Sequence, residues 1–109
     1  MDVTTTGLRE LHLYAHERNA LLHYIRSRAE KLEHGEAFSI VVHCKENAAN
    51  TPQCVIHTRL FNDGKLIAAS SATSYDVHLA VRNAFNALER QVAYYRATRE
   101  LEERTPLSI

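Results

Sequence analysis

Apolar side chains recur at helical spacing early in the chain, at Leu21, Leu22, Ile25, Ala29 and Leu32. Steps of three and four put them on one face, which predicts a helix over residues 18–33 with Gly35 as its stop. The period then changes to two. Phe38, Ile40, Val42 and Cys44 alternate with Ser39, Val41, His43 and Lys45, and the β-branched centre suits a strand. A second alternating run, residues 54–61, sets Cys54, Ile56, Thr58 and Leu60 against Val55, His57, Arg59 and Phe61. Asp63-Gly64 follows, a hairpin turn in which glycine takes positive φ freely. A third strand, residues 65–71, centres on Leu66, Ile67 and Ala68. Residues 46–53 hold Asn47, Asn50, Thr51 and Pro52 and read as a loop. Short connections make these three strands an antiparallel meander. Helical spacing returns with Val77, Val81, Phe85, Leu88 and Val92. Ser74 or Asp76 can cap that second helix, which continues to about Glu103 before Pro106 ends it.

The first 17 residues carry no single period. Leu11 and Leu13 alternate as in a strand, the stretch from Val3 to Gly7 is a second strand candidate, and a backward extension of the first helix is the third reading. A strand is favoured, since a three-stranded sheet under two helices gains from a fourth strand. The order becomes β-α-β-β-β-α. That is an α+β fold, a two-layer sandwich of a mostly antiparallel four-stranded sheet with both helices on one face.

At 109 residues the chain fits one domain spanning residues 1–109, with its core over about 8–96 and a C-terminal helical extension and tail over 97–109. Thirteen Lys and Arg balance thirteen Asp and Glu. This argues against holding nucleic acid by bulk positive charge, though not against a local basic patch. No stretch is long and apolar enough to span a bilayer, and the N-terminus lacks the basic and apolar segments of a secretory signal, so a cytoplasmic protein is expected. Cys44 and Cys54 are then expected to be reduced and buried. Seven histidines are scattered without metal-type spacing, and His43 and Cys44, being adjacent on a strand, point to opposite faces. Glycine-rich phosphate loops, a nucleophile elbow and a zinc-protease helix motif are all absent from the sequence. No enzyme activity, cofactor, metal or small-molecule substrate is expected.

The second helix contains Asp76-Val77-His78-Leu79-Ala80-Val81 and then Leu88-Glu89-Arg90-Gln91-Val92. These resemble the Asp-Met-Tyr-x-Ala-Ile opening and the Lys-Leu-Glu-Arg-Gln-Leu continuation of the second helix in the bacterial ribosome hibernation-promoting factor and ribosome-associated inhibitor family. The first helix, from Ala20-Leu21 through Glu30-Lys31-Leu32-Glu33, is similar to the family's Ala-Leu-Arg-Glu and Lys-Leu-Glu helix. The resemblance covers about residues 18–96 and carries the same β-α-β-β-β-α order.

It implies a translation inhibitor active in stress or stationary phase, one that occupies the mRNA–tRNA channel of the small ribosomal subunit. Its partner would be ribosomal RNA, met by basic side chains of the two helices, with no membrane involved. Residue by residue, the resemblance transfers RNA binding to Arg28, Lys31, Arg90 and Arg96, and Arg82 adds charge where the family has aspartate. Leu22 and Ala87 stand where the family is basic, and Tyr94 and Tyr95 are placed either to stack on bases or to cover the end of the core. Arg26, Arg28, Arg90, Arg96 and Arg99 form a possible stripe, which Glu30, Glu33, Glu89, Glu100 and Glu103 would neutralise if the charges only paired among themselves. The length resembles the family's short forms, and self-association stays open. The competing reading is a divergent member of the same fold that works as a protein-interaction module, with an apolar or aromatic surface near Tyr94 and Tyr95. A metal- or pH-responsive regulator, suggested by the histidines, would need three or more His or Cys side chains to converge.

Overall fold

Asp63 and Gly64, with φ of 53° and 80°, turn the chain between two ten-residue strands, as their left-handed preferences require. The computed structural model describes residues 1–47 and 53–104. Its elements are β1 (Asp2–Thr6), a 3-10 turn (Leu8–Leu11), α1 (Ala15–Leu32), β2 (Phe38–Asn47), β3 (Gln53–Asn62), β4 (Lys65–Ser74) and α2 (Val77–Arg104). The sheet order is β1-β2-β3-β4. β1 runs parallel to β2, and the two later pairs are antiparallel. This is the expected β-α-β-β-β-α fold, with a mixed sheet and both helices on one face.

Register decides which side chains meet the helices. Val3 lies beside Ile40, and Val42, Cys44, Ile56 and Leu60 share that face through the pairs Ile40–Leu60, Val42–Thr58 and Cys44–Ile56. They pack with Leu21, Ile25, Ala29 and Leu32 of α1 and with Val77, Val81, Phe85, Leu88 and Val92 of α2 in one core. The second helical stripe read from the sequence is therefore buried throughout, and the first is buried except for Leu22, which is half-buried against the core. Met1 and Val3 also pack on this core, which takes in residues before Leu8. Thr58 is the one buried polar residue among those described, and it is satisfied. Ser70 gives its only proton to the Ala84 carbonyl at 2.9 Å, so the Thr58 hydroxyl must donate to Ser70.

The N-terminus corrects one expectation. Leu11 and Leu13 do not form a strand. Gly7 turns the chain at φ 84°, and Leu8 and Leu11 follow on a 3-10 turn that sends both into the core. The first strand is the other candidate, around Val3. α1 begins at Ala15, where the Glu17 carboxylate accepts the Tyr14 N–H at 3.2 Å. Strands β2 and β3 also run further than expected, so Glu46, Asn47 and Gln53 belong to them. The rest of that loop, and Pro106, lie outside the described residues. At the other end, Asp76 Oδ1 accepts the N–H groups of His78 and Leu79 at 2.9 and 3.4 Å, the cap expected for α2.

Candidate nucleic-acid interface

The two helices lie side by side on the sheet, and their outer surfaces hold most of the chain's arginines. Tyr24 of α1 meets His78 of α2 edge to face, with centroids 6.2 Å apart. Next along comes Arg28. Its guanidinium donates to the Tyr24 hydroxyl (2.7 Å), to Asn86 Oδ1 (2.9 Å) and to Glu89 Oε1 (2.8 Å), and it lies over the rings of Tyr24 and Phe85. The side chain is only 13% exposed. Arg28, one of the residues to which the resemblance transfers RNA binding, is therefore mostly covered. Burial opposes its charge, but the Tyr24 and Glu89 contacts outweigh that, and its pKa ends above the ordinary value.

Arg96 is held in the same way. It grips Glu36 with two bonds, at 2.6 and 2.9 Å, donates to the Leu32 carbonyl, and covers the Phe38 ring. The pair ties α2 to the segment joining α1 and β2.

Lys31, Arg82 and Arg90 are exposed and make no hydrogen bond or ion pair among the described residues. Arg82 sits one turn before Asn86, beside the Arg28 cluster, and Lys31 sits one turn after Arg28. Arg90 turns away. It lines a hollow of about 480 Å³ with Ile67, Ala87, Gln91, Tyr94, Tyr95 and Thr98, on the side of α2 nearest β4. The five sequence candidates therefore fall into three groups: the Arg28 region with Lys31 and Arg82, the Arg96 clamp, and Arg90 on the far flank.

A longer-range pattern brings in residues that motif matching left out. Between Glu17 and Glu30, α1 has no carboxylate but carries Arg18, His23, Arg26 and Arg28. Between Asp76, spent on the cap, and Glu89, α2 has none either and carries His78 and Arg82. The helices run in the same direction, because Tyr24 meets His78 and Leu32 meets Arg96, so these acid-free stretches lie next to each other. The acids of α2 gather instead at its far end, in Glu100, Glu102 and Glu103. A chain of zero net charge thus separates its charges along the helix layer. The signal was legible as two carboxylate-free windows; it adds Arg18 and draws in Arg26, already part of the arginine stripe read from the sequence.

The two tyrosines divide their roles. Tyr95 is half-buried and its hydroxyl accepts from Asn62 (2.9 Å) and Arg99 (2.6 Å), contacts that lower its pKa. Tyr94 is 75% exposed. Among the described residues no group of three or more His, Cys, Asp or Glu is placed to hold a metal ion. Both cysteines are free thiols. Cys44 is buried and Cys54 half-buried. No helix of the described residues is long and apolar enough to cross a membrane.

The α+β sandwich, a four-stranded sheet with both helices on one face, defines a class of small domains, and comparison assigns the chain to one family within it. The family model described as sigma 54 modulation protein / S30EA ribosomal protein matches residues 17–100. The chain belongs to that family, whose ribosome-associated hibernation factors its helices resemble. A ribosomal subunit interface protein from Coxiella burnetii superposes with a TM-score of 0.62 at 18% identity, covering 89% of this chain and 99% of that one. The N-terminal domain of Thermus thermophilus Protein Y gives 0.60 at 18% identity, covering 87% and 99%. Comparison with curated protein sequences gave no match. The family consists of ribosome-associated modulators and not of known enzymes.

Proposed function

We propose that the protein silences translation by occupying the mRNA–tRNA channel of the small ribosomal subunit, in the cytoplasm and under conditions of arrested growth. The supporting observation is the pair of adjacent acid-free helix stretches beside Arg82 and Lys31, which are exposed and unpaired among the described residues. Arg26, Lys31 and Arg82 meet ribosomal RNA phosphates from the helix layer and Arg90 does so from the far flank of α2, while Arg28 and Arg96 hold the helices in the geometry that presents them. Arginine suits this contact because its planar fork matches two phosphate oxygens. Such contacts position the domain without reading sequence, and the mechanism is occlusion without any catalytic step.

Co-sedimentation with small subunits at two salt concentrations tests the reading. Retention should weaken steeply with salt, and Arg26→Glu with Arg82→Glu should abolish it. Each lost phosphate contact should flatten the slope of log K against log salt by about 0.7–0.9. Salt-independent retention, or full retention by the double variant, would overturn it.

A second reading, a protein-interaction module on the same fold, draws on a different observation. Tyr94 and Leu101 are 75% and 66% exposed at one end of α2, beside the hollow that Ile67 and Ala87 line.

A further inference from the structure

The sheet face turned away from the helices has chemistry of its own. No described element covers it. On the central strands His43 lies directly opposite His57, and both are exposed. Lys45 and Arg59, also exposed, occupy the two neighbouring positions on this face, one on each strand. The edge strands add small hydroxyls. Thr6 sits beside His43 and bonds its Nδ1 at 2.7 Å, while Ser71 sits opposite His57. Val41, His43, His57, Arg59, Ala69 and Ser71 line a shallow hollow of about 560 Å³ here. Asp2, opposite Ser39 and four residues along β2 from His43, is the only carboxylate this face shows among the described residues. Lys45 and Arg59 make no ion pair among the described residues.

We infer that this sheet face is a second RNA-binding surface, one that takes single-stranded RNA by stacking bases on His43 and His57 and by pairing backbone phosphates with Lys45 and Arg59. Three features support single-stranded RNA as the occupant. Unstacked bases are held on flat rings, and imidazole and guanidinium planes both serve. The two histidines are directly opposed on adjacent strands, where Cβ atoms lie about 5 Å apart, close enough for the side chains to engage neighbouring nucleotides. The charge is positive and unneutralised among the described residues, which matches a polyanion. The Thr6 bond holds the His43 ring in place before any ligand arrives, which reduces the ordering cost of binding. The surface is separate from the helix layer, so it gives the protein a second hold on RNA and does not depend on the ribosome-channel reading.

The test is fluorescence anisotropy with a labelled single-stranded RNA twelve-mer of mixed sequence, at low and near-physiological salt. The full-length chain should bind, and K45E/R59E should weaken binding by at least about tenfold with a flatter salt dependence. H43A/H57A leaves the permanent charges in place and should still lose about fivefold or more. R26E/R82E, on the opposite side of the molecule, should change it less than about twofold. Thermal unfolding of each variant checks that the fold survives, as expected for exposed positions. The inference is overturned if the twelve-mer does not bind at low salt. It is equally overturned if K45E/R59E or H43A/H57A binds like the parent, or if only R26E/R82E loses affinity. Failure of the helix-layer reading has a different signature, ribosome retention that survives R26E/R82E.

Discussion

Arg28 of α1 donates to Glu89 of α2 at 2.8 Å, across 61 positions of sequence, and the same guanidinium covers the Phe85 ring in the core below. The contact makes Arg28 a clasp between the helices. Arg28→Ala should therefore lower stability by about 1–3 kcal/mol, the range for a partly buried, charge-assisted cluster with ring contacts. Arg82→Ala, exposed and unpaired, should stay within about 0.5 kcal/mol. Urea unfolding of the two variants checks this. A charge reversal at Arg28 reads stability and RNA contact together, so reversals at Arg26 and Arg82 are the cleaner functional probes.

Much of the fold was legible because burial follows period. Val77, Val81, Phe85, Leu88 and Val92 all reach the core, and the Asp63-Gly64 turn has the positive φ values its residue types imply. The first strand was harder. In Asp2–Thr6 only Val3 is a strong apolar marker, and the strand is an edge held by parallel pairing to β2. Leu11 and Leu13 suggested alternation, but the pairing that matters is Leu8 with Leu11, three apart on a 3-10 turn. The candidate site was legible in residue type and not in state. Arg28 and Arg96 match basic family positions, yet their partners Glu89 and Glu36 lie 61 and 60 positions away, beyond any local charge pattern. The sheet-face quartet was hidden because only strand register sets His43 opposite His57, with Lys45 and Arg59 flanking that pair on either side.

Gly7 is fixed by its surroundings as much as by its backbone. At φ +84° a side chain is already strained, and a Cβ there would lie 1.8 Å from the Cys44 carbonyl oxygen. Gly64 has nearly the same φ, +80°, with nothing within 4 Å of the Cβ position. Gly64→Ala should therefore cost only about 1–2 kcal/mol, the strain of the left-handed conformation. Gly7→Ala must also displace a β2 backbone atom and should cost clearly more, above about 3 kcal/mol. Chemical denaturation of both variants, side by side, separates the two contributions.

Glu36 gives the fold an acid-sensitive tie. The two bonds from Arg96 are the main cause, and the His34 N–H at 2.6 Å assists, so that the Glu36 carboxyl is held down to about 2. A carboxylate whose pKa is depressed in the folded state contributes stability above its ordinary value and loses it as pH falls toward the folded one. The loss should therefore fall between about pH 4.5 and pH 2. Glu36→Gln should lower the unfolding midpoint at pH 6 to 7 and converge with the parent near pH 2. The pair is partly exposed, which limits the effect to roughly 1–2 kcal/mol. Melting curves of both proteins across this range test the sign as well as the size.

The two thiols should differ sharply in reactivity although they share a face of the sheet. Burial pushes the Cys44 thiol up to about 11, with a smaller contribution from Cys54. Cys54 is raised too, by its own burial first and then by the charges of Glu46 and Asp76, but it is only half-buried. Thiolate is the attacking species, so both are poor nucleophiles at neutral pH and access decides the order. In the native protein at pH 8 a thiol reagent should modify Cys54 slowly and leave Cys44 untouched. Both should react at once in denaturant. Cys54→Ser should then leave the native chain with no accessible thiol, and appearance of a Cys44 adduct by mass spectrometry should follow the rate of global unfolding. Rapid native labelling of Cys44 would mean that β2 and β3 separate far more readily than a ten-residue pairing whose central helix-side residues are buried permits.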